Sequence, residues 1–318
     1  MLNTLAPTET LTKDDWLKLR RQGIGGSDVG AVCGLNKYKS AFELWVEKLN
    51  LDEKDETDEN EFTYWGNALE PVIRSEFMHR TGFTVSTVPA ILQHSDLDYS
   101  FMLATIDGIV HTPEGEYIFE AKTASAYLLD DWTNGVPYSY QLQVQHYMAV
   151  TDLQGAYVAC LVGGNHFIHH FIERDNELID MIIRLEKEFW DCVESNTPPE
   201  IDGSNAAKEY INSLFPVSTN PESITLDDSC MKIIDNFEIY EAQEKIYKDL
   251  KEKCANELKL LIGENESATV ADRVISWRNV TSERFDSKRL AYEMPEIYSQ
   301  YLNQSSYRRF TIKSKKGE

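Results

Sequence analysis

Apolar and polar positions along this chain repeat with two periods, and the change from one to the other marks its elements. L-T-K-D-D-W-L-K-L-R-R-Q-G opens on Thr12, a good N-cap, and closes at Gly23, which predicts a short helix over 13–21. A second start follows in G-I-G-G-S-D-V-G-A-V, where Ser27 or Asp28 can cap and the glycines permit a tight backbone. W-G-N-A-L-E-P-V-I-R-S-E-F-M-H-R-T-G puts apolar residues at 69, 72, 73 and 77 and stops at Gly82, the pattern of an amphipathic helix.

After Gly82 the period drops to two. F-T-V-S-T-V-P alternates, and M-L-A-T-I-D-G-I-V-H and E-Y-I-F-E-A-K-T read as strands joined by the hairpin turn T-P-E-G-E. In P-Y-S-Y-Q-L-Q-V-Q-H-Y-M-A-V, residues Tyr140, Val144 and Tyr147 share a helix face. G-A-Y-V-A-C-L-V-G and F-I-H-H-F-I-E add two strands, and a helix near 176–195 leads to T-P-P-E, a natural boundary. The domains expected are therefore a core over 1–200 and an extension over 201–318. The extension holds a long amphipathic helix at about 227–261, with Tyr240, Tyr247, Cys254 and Leu261 spaced by sevens beside Phe237, Leu250 and Leu258. Its basic tail, with strand-like V-I-S-W-R-N-V and Y-R-R-F-T-I-K, is expected to pack on the core.

Composition narrows the class. The 318 residues are 42% hydrophobic, enough for a sizeable core, and no run of about 18 uncharged apolar residues or signal-peptide pattern occurs. A soluble cytoplasmic protein without membrane contact is expected. The five cysteines are scattered with no C-x-x-C pair, which argues for buried reduced thiols over zinc or disulfides. The net charge of −22 weighs against a nucleic-acid binder. The acids are uneven, however: residues 51–62 hold seven against one lysine, a solvated loop, whereas 270–318 holds ten Lys/Arg against six Asp/Glu. A local basic groove stays possible, with Arg284, Arg308 and Arg309 either along it or paired with acids.

The charged residues on the hairpin raise a sharper question. A return from Asp107 to Glu120 brings both to the same end of adjacent strands, and Glu120 and Lys122, two apart, share a face. Converging carboxylates repel unless a cation neutralises them, and an all-oxygen set suits Mg²⁺ or Mn²⁺. Lys122 beside such an ion could orient or deprotonate a water, the equipment of phosphodiester hydrolysis. A Glu-x-Lys pair facing solvent is the bland alternative. The apolar neighbours Ile118, Phe119 and Ala121 count against it, because unpaired buried charge is expensive. The glycine-rich turn near Arg20 and Arg21 is a candidate phosphate site, with an ordinary inter-helix turn as the competing reading.

An acid followed by Glu-x-Lys on the next strand resembles the PD-(D/E)xK nuclease core, with Ile106-Asp107 departing from Pro-Asp. The ordered series W-L-K-L-R-R-Q-G-I-G-G-S-D, W-G-N-A-L-E, A-T-I-D-G, E-A-K-T and Q-L-Q-V-Q-H-Y-M is similar to the YqaJ-like viral recombinase family, which includes phage lambda exonuclease. The tail motifs T-S-E-R-F-D and S-S-Y-R-R-F-T-I-K resemble its longer members. The resemblance implies an α/β fold: a restriction-endonuclease-like mixed central sheet flanked by helices, with a helical and strand extension. It implies a 5′→3′ exonuclease on double-stranded DNA ends, leaving 3′ overhangs for phage recombination in a bacterial host. By the same resemblance Asp107, Glu120, the Ala121 carbonyl and Glu70 would hold two Mg²⁺ ions, Lys122 would serve the water, and Gln143 would stand on the active-site helix beside Tyr140 and Tyr147. Arg20 and Ser27 would grip the 5′-phosphate, with Arg21 competing for the first role. A single-strand annealing protein and a homo-oligomer, such as a ring-shaped trimer, are the implied partners. A structure-selective endonuclease and a noncatalytic DNA-end or partner-binding protein are the competing functions.

Overall fold

The computed structural model describes residues 2–51, 61–220, 222–283, 285–303 and 307–313. The chain divides into two compact units, Met1–Leu214 and Phe215–Glu318.

Local signals start the first unit. After strand β1 (Thr4–Pro7), helix α1 (Lys13–Arg21) begins where the Thr12 hydroxyl accepts from the Asp15 N–H. Strand β2 (Ile24–Gly25) leads to the short helix α2 (Val29–Val32). Asp28 precedes α2 without capping it; its carboxylate turns back to the Gly25 N–H. Helix α3 (Ala41–Lys48) opens on a reciprocal Ser40–Glu43 capping box. Helix α4 (Glu61–Thr81) stops at Gly82, whose φ of +74° is the left-handed ending glycine allows. It buries Ile73 and Phe77 but exposes Val72, a narrower face than the spacing implied.

Seven further strands follow: β3 (Thr84–Ser86), β4 (Ala90–Gln93), β5 (Met102–Ala104), β6 (Gly108–Thr112), β7 (Gly115–Ala124), β8 (Gly155–Val162) and β9 (His166–Glu173). They form two sheets. The principal one has the order β3-β6-β7-β8-β9, with only β7 and β8 parallel. A smaller one, unforeseen because its strands are so short, has the order β1-β4-β5-β2. The segment expected to be one strand from Met102 is therefore two: the chain leaves the small sheet at Ala104 and enters the large one at Gly108.

Four helices complete the unit, α5 (Leu129–Thr133), α6 (Tyr138–Thr151), α7 (Asn176–Glu194) and α8 (Asn205–Leu214). The two-residue period of β7 assigns its faces. Ile118 joins the core that holds Val144 and Met148 of α6, while Phe119 joins Ile73 and Phe77 of α4 on the opposite face. Buried aromatics of this size contribute roughly 1.5–3 kcal/mol each. The expected mixed sheet flanked by helices is thus present. The expected boundary after residue 200 falls too early, because Tyr210 of α8 packs edge-on against Phe42 and Trp45.

In the second unit helix α9 (Met231–Ile262) is followed by the hairpin β10 (Ser267–Val270) and β11 (Arg273–Ser276), then by α10 (Ser287–Glu293) and α11 (Pro295–Gln300). The heptad residues Tyr240, Tyr247 and Leu261 are exposed. No strand forms over 307–313; Phe310 instead packs on Phe237, with ring centroids 5.9 Å apart. Arg308 and Arg309 are exposed, whereas Arg284 and residues 52–60 of the acidic loop lie outside the described residues. All five cysteines are free, as expected, but only Cys160 is fully buried and Cys254 is exposed. No helix among the described residues is long and apolar enough to cross a membrane.

Candidate active site

The β6–β7 hairpin places Asp107 one residue before the Gly108–Phe119 pair, beside Glu120. The Asp107 Oδ2 accepts the Ala121 N–H at 2.8 Å, which ties the acid to the neighbouring strand. Glu120 Oε1 accepts from Lys122 Nζ at 2.7 Å and from Gln143 Nε2 of α6 at 2.8 Å. Glu120 is 3% exposed, and its Oε2 is buried without a partner. From α4, Glu70 pairs with Arg74 at 2.8 Å, and Arg74 also donates to the Asp107 carbonyl at 3.4 Å. The Lys122 ammonium lies 4.9 Å from the centroid of the Tyr140 ring. Asp107, Glu120, Lys122 and Gln143 are therefore brought together, with Glu70 at the margin.

Their electrostatics are those of acids short of positive charge. Burial, then the nearby Asp107 charge, pushes Glu120 up to about 8. Burial also raises Asp107, and burial with Asp107 raises Glu70. Burial disfavours the Lys122 ammonium, but Glu120 and Asp107 outweigh that effect and raise its pKa. A lone buried carboxylate oxygen among acids of raised pKa fits a divalent cation. Among the described residues no three acidic, histidine or cysteine side chains converge into a complete cage, so any ion here needs backbone or water oxygens as well.

A pocket opens beside this cluster, lined by Trp16, Arg20, Gly26, Ser27, Thr105 and Tyr147. Arg20 Nη2 donates to Ser27 Oγ at 3.0 Å, and its guanidinium lies over the Trp16 ring. Of the two adjacent arginines, Arg20 is the one that lines the pocket. Behind it sits a buried ion pair that the sequence did not reveal: Lys48 Nζ meets Asp28 Oδ2 at 2.7 Å and donates to the Arg20 carbonyl at 3.0 Å. Burial works to raise Asp28, yet Lys48 and Arg20 hold it below the usual carboxylate range. Asp28 thus fixes Gly25 and Arg20 together, with Arg20 Nη2 at 3.7 Å.

Helix α6 serves both places. Gln143 Nε2 donates to the Tyr147 hydroxyl at 2.9 Å as well as to Glu120. The helix is anchored by His146, whose Nε2 bonds the Leu103 carbonyl at 2.8 Å and whose Nδ1 meets Glu186 at 2.7 Å. Burial opposes the imidazolium, but Glu186 raises the His146 pKa. Thr105, Arg74, Lys48 and the His146–Glu186 pair escaped sequence reasoning. Only Arg74 had a local signal, four residues after Glu70 on one helix face.

Acid before β6 and Glu-x-Lys on β7, in a mixed sheet with helices on both faces, is the layout of a PD-(D/E)xK core. Residues 15–154 match the YqaJ-like viral recombinase domain. Over 313 residues the chain is 37% identical to the uncharacterized protein YqaJ of Bacillus subtilis (strain 168), covering 97% of each. Solved structures similar to it include the alkaline exonuclease LHK-Exo from Laribacter hongkongensis, at 21% identity over 64% of this chain and all of that one, with a TM-score of 0.47. LHK-Exo in complex with dAMP gives 22% identity over 64% of this chain and 97% of that one, with a TM-score of 0.48. Near full-length identity of this degree, on a chain whose hairpin and α6 motifs assemble into one site, places it in the YqaJ-like viral recombinase family.

Proposed function

We propose that the chain is a divalent-metal-dependent exonuclease that degrades one strand of linear duplex DNA 5′→3′, leaving 3′ overhangs for phage-type recombination. The observation that carries the reading is that one helix, α6, reaches both the Glu120 cluster through Gln143 and the Arg20–Ser27 pocket through Tyr147. A terminal phosphate held in that pocket sets the register of the strand entering the cluster. Asp107, Glu120, Glu70 and the Ala121 carbonyl would hold Mg²⁺, in two positions and replaceable by Mn²⁺, which supplies Lewis-acid stabilisation of the phosphate charge.

The chain's own groups do the rest. Lys122, kept protonated by Glu120 and Asp107, orients the attacking water and balances charge rather than removing a proton. Gln143 holds the Glu120 carboxylate in place, and Arg20 grips the 5′-phosphate through charge-assisted hydrogen bonds. Contacts of this kind read the backbone, so cleavage is independent of base sequence. The product, a 3′ single strand, is what an annealing protein takes up, and a ring-shaped homotrimer would keep the duplex threaded in the host cytoplasm.

The test uses linear duplex with 5′-phosphates, the same duplex with 5′-hydroxyls, and a closed circle, each with Mg²⁺. Nucleotide release from the phosphorylated duplex, an intact circle, and loss of the phosphate preference in Arg20→Ala are the expected results. Cutting of the circle would replace the reading with a structure-selective endonuclease, and inactivity on every substrate with a noncatalytic end-binding protein. Metal binding has its own signature. Because metal-free Glu120 stays protonated up to about pH 8, an entering cation must displace that proton, so Mg²⁺ affinity is expected to strengthen as pH rises toward 8. Calorimetry at several pH values measures this, and pH-independent affinity would mean that Glu120 is already ionised before the metal enters.

A further inference from the structure

Tyr147 belongs neither to the carboxylates nor to the arginine–serine pair, yet it lines the pocket of the pair and is linked to Glu120 through Gln143. Its ring lies against Gly26: a Cβ there would sit 2.4 Å from Tyr147 Cε1 and 2.7 Å from Cζ. Only glycine lets the phenol end come this close to the Gly26–Ser27 backbone. The hydroxyl accepts from Gln143 Nε2 at 2.9 Å, and its own proton has no acceptor among the described residues. Burial, then the Glu120 charge, raises the Tyr147 pKa well above its ordinary value, so the group remains a hydrogen-bond donor. A buried donor facing a pocket with Arg20 and Ser27 is equipped for an anion.

We propose that the Tyr147 hydroxyl donates to the terminal 5′-phosphate held by Arg20 and Ser27, and that Gln143 carries this contact to Glu120. The inference rests on the exonuclease reading above. The bookkeeping of hydrogens is complete. One Gln143 amide hydrogen goes to Tyr147 and the other to Glu120, while the phenol proton goes to a phosphate oxygen. A phenol that donates to an anion becomes a better acceptor, which tightens the hold on Gln143 and therefore the orientation of Glu120. A phosphorylated end then does more than bind: it raises turnover.

The experiment compares wild type with Tyr147→Phe on duplexes bearing 5′-phosphate or 5′-hydroxyl ends, measuring kcat and KM separately. Phenylalanine keeps the ring against Gly26, so packing is preserved. Loss of a hydrogen bond to a charged group is expected to lower kcat/KM on phosphorylated ends about tenfold or more, with part of the loss in kcat. The rate on hydroxyl ends should fall less, so that the phosphate preference shrinks. A wild type that prefers phosphorylated ends and a Tyr147→Phe that prefers them as strongly would overturn the role of Tyr147 alone. A wild type without any preference would overturn the phosphate pocket and Tyr147 together.

Discussion

Replacing Glu120 by glutamine is expected to lower nucleotide release by on the order of 10³-fold or more, about 4 kcal/mol of barrier. Glutamine is isosteric, and both donors to the native side chain converge on one oxygen, Oε1, which the amide carbonyl reproduces. The amide nitrogen then takes the place of Oε2, which has no protein partner to lose. Activity should therefore disappear while the fold persists. Stability provides an independent check. The Glu120 pKa is raised in the folded chain, so metal-free wild type loses stability as pH climbs from the ordinary carboxylate value toward about 8. Glu120→Gln has no such loss, and its thermal midpoint in EDTA should gain on wild type across that window. A constant gap between pH 5 and 8 would mean that Glu120 is not a strained buried acid.

The second large effect lies away from the carboxylates. Lys48 and Asp28 have side chains 1% and 2% exposed, and Lys48→Met leaves Asp28 with Arg20 as its remaining cation at 3.7 Å. Breaking a buried pair in this way costs about 3–5 kcal/mol, enough to lower the melting temperature of a unit this size by roughly 10 °C. The Arg20 backbone loses its bond to Lys48 as well, so the preference for 5′-phosphate should weaken in parallel. The double variant Lys48→Met with Asp28→Asn removes the stranded charge and should recover most of the stability in a thermal melt. Failure of that recovery would show that Lys48 acts through packing of its stem rather than through charge.

Much of the β6–β7 hairpin was legible because its information is local. Asp107 immediately precedes β6 and Glu120 lies on the antiparallel β7, and a two-residue period is enough to place Glu120 and Lys122 on one face. Arg20 and Ser27, seven residues apart, meet across the short segment that carries β2. The boundary of the first unit was misplaced because Tyr210 finds its partners Phe42 and Trp45 far back in the chain, with no periodic trace. The heptads of α9 mark an apolar stripe, and exposed Tyr240 and Tyr247 show that spacing defines a stripe without supplying its cover.

By itself, then, the sequence determined most of the longer elements, the hairpin, the shared face of Glu120 and Lys122, and membership in a family through motifs in fixed order. Only the tertiary structure decided that the chain switches sheets between Ala104 and Gly108, that Lys48 neutralises Asp28, that His146 anchors α6 to Glu186, and that Tyr147 closes on Gly26. The physical reason is range. Periodicity and turn chemistry act over a few residues and reveal which face is apolar, whereas buried charge pairs and close backbone approaches join distant segments whose proximity only the packed core creates.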